Sequence, residues 1–151
     1  MFTSAANADK PDTKMLYITR EDLNKKLYEE IIDAIVREDP EREEYGIRVA
    51  METVRTYIAS RYDVDREFQK TGKGRNFMLV NICAKIAMYE IADILEQMPV
   101  TIQNPYDKTI ELLKDIQAGK ATLTDIPEPV DPETGEPDTY IKYGQSNHNR
   151  Y

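Results

Sequence analysis

No tryptophan occurs in this chain of 151 residues, and there are only 3 phenylalanines. Any core must therefore rest on Ile, Leu, Val, Met, Ala and Tyr. The single cysteine, Cys83, excludes an intramolecular disulfide and fits a reducing cytoplasm. The single histidine, His148, stands near the C-terminal end, so no histidine is expected on the folded domain to activate that thiol, and a Cys–His nucleophile is not expected. No apolar run approaches the length of a membrane span. The first fifteen residues are polar and include Asp9, Pro11 and Asp12, which is incompatible with the apolar region of a signal peptide. Positive charge is also scarce: Lys+Arg number 20 against 28 Asp+Glu, a formal net charge of -8. A groove wrapped around phosphates needs a basic footprint, so nucleic-acid binding of that kind is not expected.

What is present is helical periodicity. Residues 1–14 read as a flexible N-terminal arm. Thr19 with Asp22 three residues on approximates a capping box, the shorter Asp replacing Glu. The helix that follows carries Leu23, Leu27, Ile31 and Ile35 at i, i+4 spacing and ends near Pro40, because proline disfavours helical geometry in the residue before it. A second helix is expected from Pro40 or Glu44 to Arg61, with Ile47, Ala50, Met51, Val54 and Ile58 on its stripe. The third, from Asn76 to Met98, is the most apolar. Val80, Cys83, Ala87, Ile91, Ile94 and Leu95 share one face, Leu79, Ile82, Ile86 and Tyr89 extend it, and only Asn81 and Lys85 interrupt it there. A helix apolar nearly all round must be covered nearly all round, either by the other helices or by a second copy of the chain. Asn104-Pro105-Tyr-Asp107 reads as the start of a fourth helix and Gly119 as its left-handed C-terminal residue. The expected fold is all-α: a small antiparallel bundle of about four helices spanning 15–123, with extended arms at 1–14 and 124–151.

The C-terminal arm alternates Pro127, Pro129, Pro132 and Pro137 with acidic residues, a spacing no helix survives. Thr139-Tyr-Ile-Lys-Tyr143 within it has strand-like alternation. The loop from Asp63 to Asn76 is long for a helical connection, acidic first and basic later, and reads as mobile or docked on another molecule. Exposed tyrosines suit interfaces, since a rigid amphipathic ring contributes area at low entropic cost.

Groups for chemistry do not assemble. Asp63-Val-Asp65-Arg-Glu67 lacks the glycine turn and terminal glutamate spacing of a calcium loop. Gly72-Lys73-Gly74 lacks the spacing and the following Ser/Thr of a phosphate-binding loop. Glu29 and Glu30 fall on a wet helix face, which gives no reason for a raised pKa. No catalytic, cofactor or metal site is expected, and the chain reads as a non-enzyme.

Three phrases carry a resemblance. Met15-Leu-Tyr-Ile-Thr19-Arg-Glu-Asp22-Leu23 is similar to the start of the head–tail connector family of Mu-like phages and prophages. Thr53-Val-Arg-Thr-Tyr57-Ile-Ala-Ser-Arg61-Tyr62 resembles that family's second-helix ending, and the stretch from Thr109 through Gly119-Lys120 to Leu123 resembles its last helix and exit. The likeness covers about residues 15–126 and rests on the order and spacing of these phrases. It departs from the family at the charged, glycine-bearing loop 63–75 and in both arms. The resemblance implies a helical adaptor in the virion neck, present in the host cytoplasm before assembly. It implies a ring of roughly twelve copies with heterologous contacts, joined to the portal protein and to a downstream neck or tail protein. DNA would pass through without specific binding, and no membrane is involved. The alternative from another class is a small phage-encoded regulatory interaction module.

Within this reading, Tyr140, Ile141, Tyr143, Lys70, Lys73 and Arg75 are candidate contacts with partners. Leu79, Ile82, Ile86 and Tyr89 are candidate contacts between copies. Tyr57, Arg61, Tyr62 and Gly119 are structural motif residues that set helix endings and their packing.

Overall fold

In a computed structural model of the chain, residues 16–23, 26–131 and 133–135 are described. The helices are α1 (Arg20–Leu23), α2 (Lys26–Glu38), α3 (Arg42–Ile58), α4 (Val64–Glu67), α5 (Phe77–Ala92) and α6 (Val100–Gln117), with a 3-10 turn at Gly72–Gly74. Among the described residues there is no strand, and the fold is a small all-α bundle.

Helix α5 lies at the centre and packs against α1, α2, α3 and α6. Leu79, Ile82 and Ile86 are buried by these elements of the same chain. The expected contact between copies at those three residues is therefore corrected: they belong to the subunit's own core. Tyr89 remains half-buried and stacks on Tyr106 of α6 at 3.7 Å between ring centroids. The most extensive helix contact is that of α3 with α5, where small residues Gly46, Ala50 and Ala87 are buried. A Cβ built on Gly46 would stand 2.5 Å from Cγ1 of Ile91, so only glycine permits this approach.

Arginines flanking α3 set its direction. Arg42 donates from Nη2 to the carbonyl of Glu90 at 2.7 Å, and its Nε reaches the carbonyl of Ile91 at 3.4 Å. Arg61 donates to the carbonyls of Ile116 and Ala121. Arg42 thus satisfies last-turn carbonyls of α5 that lack an intrahelical partner, Arg61 ties the last turn of α6 to the segment after it, and each guanidinium sits at the negative end of a helix dipole. The start of α3 lies beside the end of α5, and its end beside the end of α6. Hence α3 runs antiparallel to α5 and parallel to α6.

Two helix boundaries differ from expectation. Helix α5 stops at Ala92 rather than Met98, leaving Ile94 and Leu95 exposed in the turn that follows. Nothing in the local sequence demands that stop, and Arg42 satisfies carbonyls of the final turn from another helix. Helix α6 begins at Val100, four residues before Asn104, and carries Pro105 inside it. Pro99 occupies the N-cap position, and its carbonyl accepts from the backbone N–H groups of Ile102 and Gln103. Gly119 ends α6 at φ +81°, as expected. The backbone N–H of Lys120 bonds the carbonyl of Asp115, and that of Gly119 the carbonyl of Ile116, the pair of bonds of a Schellman motif.

Candidate interaction surfaces

The segment between α3 and α5 is held by the chain itself. Asp63 accepts from the backbone N–H of Arg66 and caps α4, whose last residue, Glu67, is only 1% exposed. One carboxylate oxygen of Glu67 accepts from the Tyr17 hydroxyl at 2.7 Å and from the backbone N–H of Asn76 at 2.7 Å. The Lys70 ammonium lies 2.9 Å from the other oxygen. Burial by itself would raise the Glu67 carboxyl. The bonds from Asn76, Tyr17 and Lys70 outweigh it and hold the group below its usual range. The Tyr17 hydroxyl moves the other way, pushed up by burial and by its bond to the Glu67 carboxylate.

A second ionic tie closes the loop onto α1. Arg75 meets both carboxylate oxygens of Asp22, at 2.6 and 3.0 Å, and donates to the carbonyl of Tyr17 at 2.8 Å. Asp22 also accepts from the backbone N–H of Thr19 at 2.8 Å, the acidic half of the capping box. Burial raises the Asp22 carboxyl, but Arg75 and Thr19 together bring it below its ordinary value. The bond to Asp22 pushes the Arg75 guanidinium up. A two-point Arg–carboxylate fork of this kind fixes geometry as well as charge.

These contacts correct the expectation for the loop. Arg75 is a brace between elements of one subunit rather than a surface contact, and Lys70 is paired with a buried carboxylate. Lys73 is exposed, as a partner contact requires. Tyr140, Ile141 and Tyr143 lie outside the described residues. Of the motif residues, Tyr62 is buried and its hydroxyl accepts from the backbone N–H of Leu123 at 2.9 Å. Tyr57 packs half-buried against the core. The core continues past Leu123: Ile126 is buried, and the Asp63 backbone N–H bonds the carbonyl of Pro127 at 2.8 Å.

The surfaces left open are apolar and were not singled out from the sequence. Phe77 is 84% exposed and Met78 is exposed beside it, in an open groove shared with Lys73, Thr124 and Asp125. At the other end of α5, Ile94, Leu95 and Val100 are exposed around the turn into α6. A signal for Phe77 was available, since it stands four residues before Asn81 and eight before Lys85, on the stripe that already carries the polar interruptions. Cys83 is fully buried, and burial pushes its thiol well above the usual range. Among the described residues no cluster of His, Cys, Asp or Glu has the arrangement of a metal site, and no helix is long and apolar enough to cross a membrane.

Fold and surfaces together define a small all-helical protein whose polar side chains brace its own helix ends. A model of the family described as "Bacteriophage Mu, Gp36" matches residues 17–140, more than half of the chain. The chain belongs to that family of phage proteins, which bears out the Mu-like affiliation carried by its motifs. No curated protein and no solved structure matches it.

Proposed function

We propose that this protein is a structural, non-enzymatic head–tail connector of a tailed phage, assembling as a ring in the neck between the portal and the next neck or tail component. Membership of a phage Mu family supports the setting. The observation that carries the reading is the placement of the exposed apolar side chains. Five of the seven large hydrophobic residues found exposed among the described ones are Phe77 and Met78 at one end of α5, and Ile94, Leu95 and Val100 at the other. Exposed apolar patches rimmed by charge mark protein contacts, and an adaptor needs more than one. The net charge of -8 suits a conduit that repels DNA phosphate and lets the genome slide.

Quantitative mass spectrometry of purified particles tests this by counting the chain against the portal protein. A near-equal ratio is expected. Absence from particles, with the chain abundant in infected cells, overturns the adaptor and favours a phage-encoded regulatory module.

A further inference from the structure

We infer that the two ends of α5 are the two halves of one head-to-tail contact between copies of this chain. The inference deepens the adaptor reading, on which the ring itself rests.

The ends differ in charge. At the N-terminal end, Lys70 and Arg75 are matched by Glu67 and Asp22. Lys73 has no ion-pair partner among the described residues, and Asp125 also lines the groove. The positive end of the α5 dipole adds to Lys73. At the C-terminal end, Glu90, Asp93 and Glu96 stand with Arg42 as the cation beside them. Neither Asp93 nor Glu96 has an ion-pair partner among the described residues. The negative dipole end adds to their charge. Burial first, and Asp93 second, hold the Glu90 carboxyl above its usual value although Arg42 stands beside it.

The ends cannot meet within one subunit. Sixteen residues of helix hold them about 24 Å apart. An apolar, cation-bearing end and an apolar, acid-rich end on one rigid rod fit each other only across two copies. The joined surfaces are different, so the contact is heterologous. It leaves one free end of each kind, and repetition closes a ring or extends a filament.

The test uses the full chain and two variants at exposed positions. Phe77→Asp disables the N-terminal end, and Ile94→Asp with Leu95→Asp disables the other. Circular dichroism checks that helicity is kept, and sedimentation velocity reads the assembly. The wild type is expected to associate beyond a dimer with rising concentration, and each variant alone to stay monomeric. An equimolar mixture of the two is expected to form a 1:1 dimer and nothing larger, since it retains one intact end of each kind. Adding Lys73→Glu to the Ile94→Asp/Leu95→Asp chain, so that acid faces acid, is expected to weaken that dimer several-fold. A wild type that stays monomeric at millimolar concentration overturns the inference. So does a mixture that does not dimerise, a variant that still assembles alone, or a dimer indifferent to Lys73→Glu. The particle count separates the two claims. A chain stoichiometric in particles but monomeric in solution fails this contact alone. A chain absent from particles fails the adaptor, while association of the purified chain still upholds the contact.

Discussion

The hydroxyl of Tyr28 donates to the backbone carbonyl of Thr101 at 2.9 Å. That carbonyl is the one Pro105 leaves without its helical partner, because proline has no N–H to return four residues. A side chain from α2 thus supplies the bond that makes a proline tolerable inside α6. Tyr28→Phe is expected to cost about 1 kcal/mol of unfolding free energy. In a Pro105→Ala background the helix recovers its own bond, so the same change should cost little. Urea denaturation of the four chains measures the coupling, and equal costs in both backgrounds would refute the pairing.

Gly46 sets the distance between α3 and α5. Alanine is the better helix former by about 1 kcal/mol. Here its Cβ would fall 2.5 Å from the Ile91 side chain and 3.1 Å from the backbone at Ala87 and Ile91. Helix backbone yields less easily than a side-chain tip, so overpacking should win, with a net loss of about 1–2 kcal/mol for Gly46→Ala. Thermal unfolding shows the sign directly. A rise in Tm would mean that the two helices part without cost.

Acid should unfold the protein through Asp22 and Glu67. Their folded values lie below the ordinary 3.8 and 4.5. Their stabilisation is therefore fully present above those ordinary values and is lost as pH falls through the depressed folded ones. Glu90 has the opposite sign. Its folded value is raised by burial and Asp93, so its charged form opposes folding, and this cost fades as acid protonates it. With two depressed carboxyls against one raised, stability should fall below about pH 4. Glu67→Gln should lower stability at pH 7 by about 1.5–3 kcal/mol, the worth of hydrogen bonds to a charged group. It should also flatten the acid limb. An unchanged limb, read from denaturant midpoints between pH 3 and 7, would remove Glu67 from the account.

Cys83 should react with a thiol reagent only when the protein opens. It is fully buried, and its raised pKa leaves almost no thiolate at neutral pH. The modification rate is expected to follow denaturant concentration in step with unfolding. Fast labelling of native protein would place an opening motion along α5.

Arg61→Ala should destabilise by about 1–3 kcal/mol, since it removes the side-chain donor shared by the carbonyls of Ile116 and Ala121 and leaves Ile116 only the Gly119 N–H. Arg61→Lys should recover only part of the loss, because both bonds come from the terminal nitrogen Nη1, which the shorter lysine side chain does not match in reach. Full recovery with lysine would reduce the role to charge at the helix end.

Much of this protein was determined locally. The i, i+4 stripe from Ile47 to Ile58, the broad apolar face of α5 and the left-handed Gly119 are one-dimensional patterns. They follow from helical period and backbone sterics, and the phage affiliation followed from the order of such patterns along the chain. Where neighbours in space compete with neighbours in sequence, the tertiary structure decided. Asn104-Pro105 has the chemistry of a helix start, yet Pro99 starts α6 earlier because Tyr28 takes up the carbonyl that Pro105 orphans. Leu79, Ile82 and Ile86 looked in need of a second copy, and α5 instead found four elements of its own chain. Arg75, Lys70 and Glu67 read as a charged loop. Asp22, Tyr17 and Asn76, distant in sequence or contributing backbone groups, turn them into a brace. Periodicity says which side of a helix is apolar, but only packing decides what covers it. At the two ends of α5, nothing within the described residues does.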